Sequence, residues 1–149
     1  MANQVILLAD DSPDDVVLIK RALQRAGVLN AVQTVTGGED VLCYLKGEGI
    51  YEDRERYPFP LLLLLDLRMP DRSGFEILAW LKHDQELRPK AVVVLTGEAN
   101  LDEIRLGYDS GADSFLVKPL VVEDLVNVIG GLRAVRVETI NGTYRLDSQ

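Results

Sequence analysis

Short unbroken apolar runs alternate along this chain with segments whose apolar positions recur at helical spacing. The clearest runs are Val5–Ala9 (VILLA), residues 61–65 (LLLLL) and residues 91–95 (AVVVL). Residues 31–35 (AVQTV) and Ser114–Val117 (SFLV) are weaker examples. Such runs are too brief to cross a bilayer, which takes about 20 residues. They predict strands buried on both faces of a sheet. Helical spacing links Val16, Ile19, Leu23 and Ala26, then Val41, Leu42 and Leu45, then Ile77, Leu78 and Leu81, and last Leu125, Val128, Ile129 and Leu132. Ser12 is a good N-cap, Pro13 suits the first helical position, and Gly27 closes that helix. Gly37-Gly38 opens the second helix. Asn100 with Glu103 makes a capping-box-like start to a fourth, which stops at Ser110-Gly111. Five strands alternating with five helices imply a parallel sheet covered on both faces.

Two stretches depart from that rhythm. The connection over residues 47–60 (GEGIYEDRERYPFP) is 14 residues long, where about two to six are usual. It predicts either disorder or a contact surface, with Tyr51, Tyr57 and Phe59 favouring packing. The tail reads VRVETI-NG-TYRL, and Asn-Gly between partly alternating arms is a strong hairpin signal. The organisation expected is one domain over residues 1–133 and an extension over 134–149 suited to a hairpin or a dimerisation arm, with no output domain. No internal repeat or low-complexity segment interrupts it.

Composition narrows the function classes. At 149 residues, 47% apolar and 27% charged, the chain is an ordinary single globular domain. A net charge of −8 with scattered Lys and Arg argues against a nucleic-acid surface. No signal peptide or anchor is visible, so no membrane partner is expected and the cytoplasm is the expected compartment. The single cysteine, Cys43, lies in an apolar helical pattern and reads as a small buried hydrophobe. His83, the one histidine, reads as a surface helix residue, and no zinc-type His/Cys spacing exists.

The chemistry lies where the strands end. In open parallel α/β sheets, functional groups gather beyond the carboxyl ends of the strands, where strand order reverses. Strand one runs into Asp10-Asp11, strand three into Asp66, strand four into Thr96 and strand five into Lys118. These converge if the strand order is 2-1-3-4-5, a flavodoxin-like doubly wound three-layer sandwich. Three carboxylates and one lysine leave an excess of negative charge. Like charges about 4 Å apart repel by about 4 kcal/mol at an intermediate dielectric, so such a site calls for a divalent cation. Oxygen ligands select a hard ion, and few carboxylates beside a phosphoryl oxygen suit Mg²⁺. Asp66 stands singly on the central strand, where a carboxylate can attack a phosphoryl group. Mg²⁺, Lys118 and the Thr96 hydroxyl would neutralise and position it, and Gly97 leaves room beside Thr96. Asp14 and Asp15 read as helix-start charges.

These motifs, Asp10-Asp11, LDLRMPDRSG around Asp66, Thr96-Gly97 and Lys118-Pro119, resemble the receiver domain of bacterial two-component response regulators over roughly residues 4–132. The resemblance implies that Asp66 accepts a phosphoryl group from a sensor histidine kinase. It implies that Asp11, Asp66 and the Arg68 backbone carbonyl ligate Mg²⁺, with Asp10 acting partly through water. Thr96 and Phe115 resemble the family's switch pair, and Lys118-Pro119 its cis peptide. The long connection with Gly49, Tyr51 and Pro58 is similar to that of single-domain regulators paired with bacterial phytochromes. The implied cycle biases a face formed by the fourth helix, fifth strand and fifth helix. Leu106, Tyr108, Val121, Val122 and Val126 on that face suit a partner or a second copy, and a homodimer is expected. Arg68 and Glu98 flank the path of a hydrolytic water, and a pair between them would lengthen the phosphoryl lifetime.

Three rivals remain. A Mg²⁺-dependent phosphohydrolase using Asp66 as nucleophile commonly carries a second acid two residues later, where this chain has Arg68. An FMN binder wants a hydroxyl- and amide-rich phosphate loop, which DDSPDD is not. A degenerate receiver acting as a scaffold would lack the complete acidic set.

Overall fold

The computed structural model describes residues 4–97 and 101–149. Five parallel strands, β1 (Val5–Ala9), β2 (Val32–Val35), β3 (Pro60–Asp66), β4 (Ala91–Thr96) and β5 (Ser114–Val117), form one sheet in the order β2-β1-β3-β4-β5. The helices are α1 (Pro13–Arg25), α2 (Gly38–Lys46), α3 (Gly74–His83), α4 (Leu101–Asp109) and α5 (Val122–Gly130). The expected doubly wound fold and strand order are therefore both present. The Asn100 start expected for α4 lies outside the described residues.

Strand alternation sorts the core into two layers. Ile6, Leu8, Leu62, Leu64, Val93, Leu95 and Leu116 face α1 and α5. Leu7, Ala9, Leu63, Leu65, Val92 and Val94 face α2 and α3. All of β3 is buried, so every leucine in its run contributes apolar burial, each worth about 1.5–3 kcal/mol. The register pairs Ala9 with Leu65 and Asp66 with Leu95, which brings the ends of β1, β3 and β4 level. Gly74 makes this possible on the α3 side. A Cβ there would lie 2.7 Å from the Asp66 carbonyl oxygen and 2.8 Å from Leu67 Cα, so a side chain would push α3 off the end of the central strand.

The connection over residues 47–60 is neither disordered nor a bare surface loop. A short 3₁₀ turn at Gly49–Glu52 begins it, and Tyr44, Tyr51 and Tyr57 stack with centroids 4.9–6.1 Å apart. Arg54 donates to the carbonyls of Tyr44 at 2.8 Å and Leu45 at 2.9 Å. It thereby caps the C-terminal end of α2, whose carbonyls lack partners in the helix. Burial pushes the Tyr44 phenol up to about 12, Arg54 opposing it, and the hydroxyl donates to the Pro58 carbonyl at 2.9 Å. Phe59 is exposed, unlike the other two aromatics. Cys43 is a free thiol and half-buried, so it is less enclosed than its pattern implied.

The tail forms the expected hairpin, β6 (Val135–Ile140) and β7 (Thr143–Ser148), turned by Asn141 and Gly142 at positive φ. It is seated on the body of its own chain. Leu146 is fully buried and Val135 nearly so, both in the α1/α5 layer. Tyr144 N–H donates to the Gly27 carbonyl at 2.6 Å, and Leu29 N–H donates to the Tyr144 carbonyl at 2.8 Å. Asn30 clamps the arrangement, donating to the Leu146 carbonyl at 2.9 Å and accepting from its N–H at 2.8 Å. No described helix is long and apolar enough to cross a membrane.

Candidate functional site

The alternation that sorts the core also sorts the site. Asp10, Asp66 and Lys118 continue the parity of Leu8, Leu64 and Leu116, so they emerge on the α1/α5 side of the sheet edge. Thr96 continues the parity of Val94 and emerges on the opposite side, where Phe115 packs. Two neighbouring environments result, one ionic and one apolar.

The ionic one holds Asp10, Asp11 and Asp66, each offering a carboxylate oxygen within 4.8 Å of the others. Asp10 is fully buried and Asp66 nearly so, while Asp11 is exposed. The Ser12 N–H donates to Asp10 Oδ1 at 2.9 Å, and the Arg68 N–H donates to Asp66 Oδ1 at 3.1 Å. Lys118 Nζ reaches Asp10 at 2.7 Å, Asp15 at 3.1 Å and Asp66 at 3.3 Å. Burial pushes the Asp66 carboxyl above the ordinary aspartate value, against the lowering effect of the Arg68 N–H and the Lys118 ammonium. Burial opposes charge on Lys118, yet its contacts with Asp10, Asp15 and Asp66 outweigh that and hold the ammonium above the ordinary lysine value. Lys118-Pro119 is cis, as expected. Among the described residues, one ammonium stands with four nearby carboxylates, which leaves the expected negative excess. The donor set is all oxygen, which fits a hard divalent cation.

The apolar environment is a small cavity lined by Leu67, Val94, Thr96, Ile104, Tyr108 and Phe115 among others. Thr96 is buried, and Phe115 meets Tyr108 edge-on with centroids 5.8 Å apart. Gly97 is an exposed bend beside it.

Some expectations change at this edge. Asp15 is not a bare helix-start charge, because its carboxylate reaches Lys118 from the first turn of α1. The one signal for it in the sequence is position, an acid one turn into a helix whose N-terminus abuts a functional strand end. Asp71 carries no signal beyond that of a turn residue. Its carboxylate accepts from Gly38 N–H and Glu39 N–H, both at 3.0 Å, capping α2 across 33 residues. Those two N–H groups hold its carboxyl below the usual range. The Arg68 guanidinium lies 3.1 Å from Glu103 on α4. Glu98, its anticipated partner, lies outside the described residues. Leu106, Tyr108, Val121 and Val126 are exposed as expected, whereas Val122 packs against the α1/α5 core because its helix turns it inward. His83 is exposed.

Comparisons with known proteins meet this geometry. A family model for the response regulator receiver domain matches residues 6–130. Response regulator Rcp1 of Synechocystis sp. is 31% identical over 137 residues, spanning 92% of this chain and 91% of that protein. The solved bacteriophytochrome response regulator RtBRR superposes with a TM-score of 0.83 at 31% identity, covering 94% of this chain and 83% of that one. The crystal structure of the Mn²⁺-bound form of Rcp1 matches with a TM-score of 0.71, over 91% of this chain and 99% of that one. The matched span contains every acid, hydroxyl and ammonium that the sheet edge gathers, and the chain belongs to the response regulator receiver-domain family.

Proposed function

We propose that this protein is a phosphorylation switch in which Asp66 is the acceptor and a sensor histidine kinase the donor. The observation that carries the assignment is the Asp66 carboxylate itself, nearly buried at the end of the central strand and 3.3 Å from a lysine ammonium. A carboxylate oxygen of Asp66 attacks the phosphorus of a phosphohistidine. An acyl phosphate forms, the phosphorus–nitrogen bond breaks, and the histidine nitrogen leaves with the bonding pair.

Lys118 neutralises an oxygen of the transferred group, and the Arg68 N–H keeps the attacking carboxylate oriented. The Thr96 hydroxyl and Phe115 ring form the switch pair. Asp10, Asp11, Asp66 and the Arg68 carbonyl would hold Mg²⁺. The ion, when bound, offsets the charge that accumulates on the phosphoryl oxygens.

The names of RtBRR and its relatives support a bacteriophytochrome as the kinase partner, and the reading places the switch in the cytoplasm. The exposed side chains of Leu106, Tyr108, Val121 and Val126 support a homodimer through the α4–β5–α5 face. The hairpin is a second candidate arm for that dimer. In this reading the chain catalyses only its own phosphorylation and dephosphorylation.

Incubation with acetyl phosphate and Mg²⁺ tests the assignment. A single phosphoryl adduct is expected on the wild type, lost with chelator and lost in Asp66→Asn. Sustained turnover of a small phosphate ester would favour a phosphohydrolase instead. An absent adduct would favour a scaffold.

A further inference from the structure

Lys118 has three donor protons, and three carboxylates take them. Asp10 Oδ2 stands at 2.7 Å, Asp15 Oδ2 at 3.1 Å and Asp66 Oδ2 at 3.3 Å. An ammonium has no further proton to give. If Lys118 is to meet a phosphoryl oxygen on Asp66, one of these contacts has to be surrendered. They are not equally easy to surrender. Asp10 is fully buried, is already fixed by the Ser12 N–H and makes the shortest of the three contacts, so parting it from Lys118 would take a hydrogen bond from an oxygen that water does not reach. Asp66 carries the new group and stays beside the amine. Asp15 keeps a side-chain exposure of 37%, so water can replace the ammonium at small cost.

We infer that Asp15 is a positioning residue for Lys118, holding the ammonium at the sheet edge in the resting protein and yielding it to the phosphoryl group on Asp66. Asp15 is well placed for this, because it is set by the same turn that carries the metal-side acids. The Ser12 hydroxyl caps α1 by accepting from the Asp15 N–H at 3.3 Å, while the Ser12 N–H holds Asp10. The exchange also reports outward. The carboxylate set free lies in the first turn of α1, close before the exposed apolar pair Val17 and Leu18. The phosphorylation state of Asp66 is thus written onto α1 as the release of a charged side chain.

This inference rests on Asp66 being the phosphoryl acceptor, and its test keeps the two apart. Binding of beryllium trifluoride with Mg²⁺ is titrated calorimetrically for wild type, Asp15→Asn, Asp15→Glu, Lys118→Met and the double variant Asp15→Asn/Lys118→Met. Removing the competitor in Asp15→Asn is expected to tighten binding by about fivefold, the factor an exposed ion pair near the top of its range supplies. Asp15→Glu, which retains the carboxylate, is expected to stay within about twofold of wild type.

The cycle separates exchange from a general field effect, since a carboxylate acting only through space would still matter without the ammonium. In the Lys118→Met background the Asp15→Asn effect is therefore expected to vanish. A second readout needs no loaded site. In the metal-free protein the Lys118 ammonium nitrogen resonance is expected to move in Asp15→Asn and to stay in Asp14→Asn.

Unchanged affinity in Asp15→Asn overturns the inference, and so does an effect that persists in Lys118→Met. A beryllofluoride-bound crystal structure with the Lys118–Asp15 hydrogen bond still intact overturns it as well. Wild type that binds no beryllium trifluoride defeats the acceptor assignment itself.

Discussion

The sheet edge around Asp66 and the seat of the C-terminal hairpin both put polar groups under cover, and they do it in opposite ways. At the hairpin seat the groups are neutral and matched. Asn30 gives its amide protons to the carbonyls of Gln4 and Leu146 and takes the Leu146 N–H in return. At the sheet edge the groups are charged and mismatched, with one lysine shared among Asp10, Asp15 and Asp66. The first arrangement is complete and adds stability. The second is short of positive charge, which costs stability and leaves a place for a cation and a phosphoryl group. A buried polar cluster built for structure closes on itself, and one built for chemistry stays unfinished.

Substitutions should therefore split function from stability at the two places. Leu146→Ala empties a fully buried position and is expected to cost about 2–5 kcal/mol in urea unfolding, while the folded fraction still takes up a phosphoryl group. Asp66→Asn is expected to do the reverse, abolishing uptake while raising the unfolding midpoint, because it removes a carboxylate whose charge is penalised by burial. If Asp66→Asn lowered the midpoint, the sheet edge would be a stabilising network after all.

Asn30→Ala comes next in size. It strips the Leu146 N–H of its acceptor under the hairpin, and a loss of about 1–3 kcal/mol is expected. An unchanged midpoint would mean that the hairpin is held by its apolar face alone.

The smallest effect is in the pH dependence of the metal-free protein. The folded Asp66 carboxyl binds its proton more tightly than the unfolded one, so stability should fall as pH rises from the ordinary aspartate value through the raised one. Lys118 acts at the other end. Its folded value is raised, so its contribution is fully present below the ordinary lysine value and is lost as pH rises above that. Chemical denaturation across pH, wild type against Asp66→Asn, isolates the acid limb, which should disappear in the variant.

Much of this architecture is legible in the amino-acid sequence. Strand ends can be read because a buried parallel strand is a continuous apolar run, so the residue that breaks it is conspicuous. Asp10, Asp66, Thr96 and Lys118 are all marked in that way, and the Asn-Gly turn marks the hairpin. What stays hidden depends on pairings far apart in sequence. The Asp71 cap on α2, the Arg54 cap at the other end of that helix and the Asn30 clamp join side chains to distant backbone, and no local period records such bonds. Asp15 escapes notice for a different reason. A helix start already accounts for an acid there, and only the folded sheet, which sets Lys118 just past the end of β5, brings the ammonium within reach. Val122 illustrates the limit of reading faces from spacing alone, since the phase of α5 decides which valines turn inward.

The central claim is that acids and an ammonium from separate strands meet around one reactive carboxylate. Phosphoryl transfer from a phosphorylated histidine kinase, followed by tandem mass spectrometric mapping of the adduct, tests it most directly. The account predicts a single adduct on Asp66. An adduct on Asp10, Asp11 or His83 instead would contradict it.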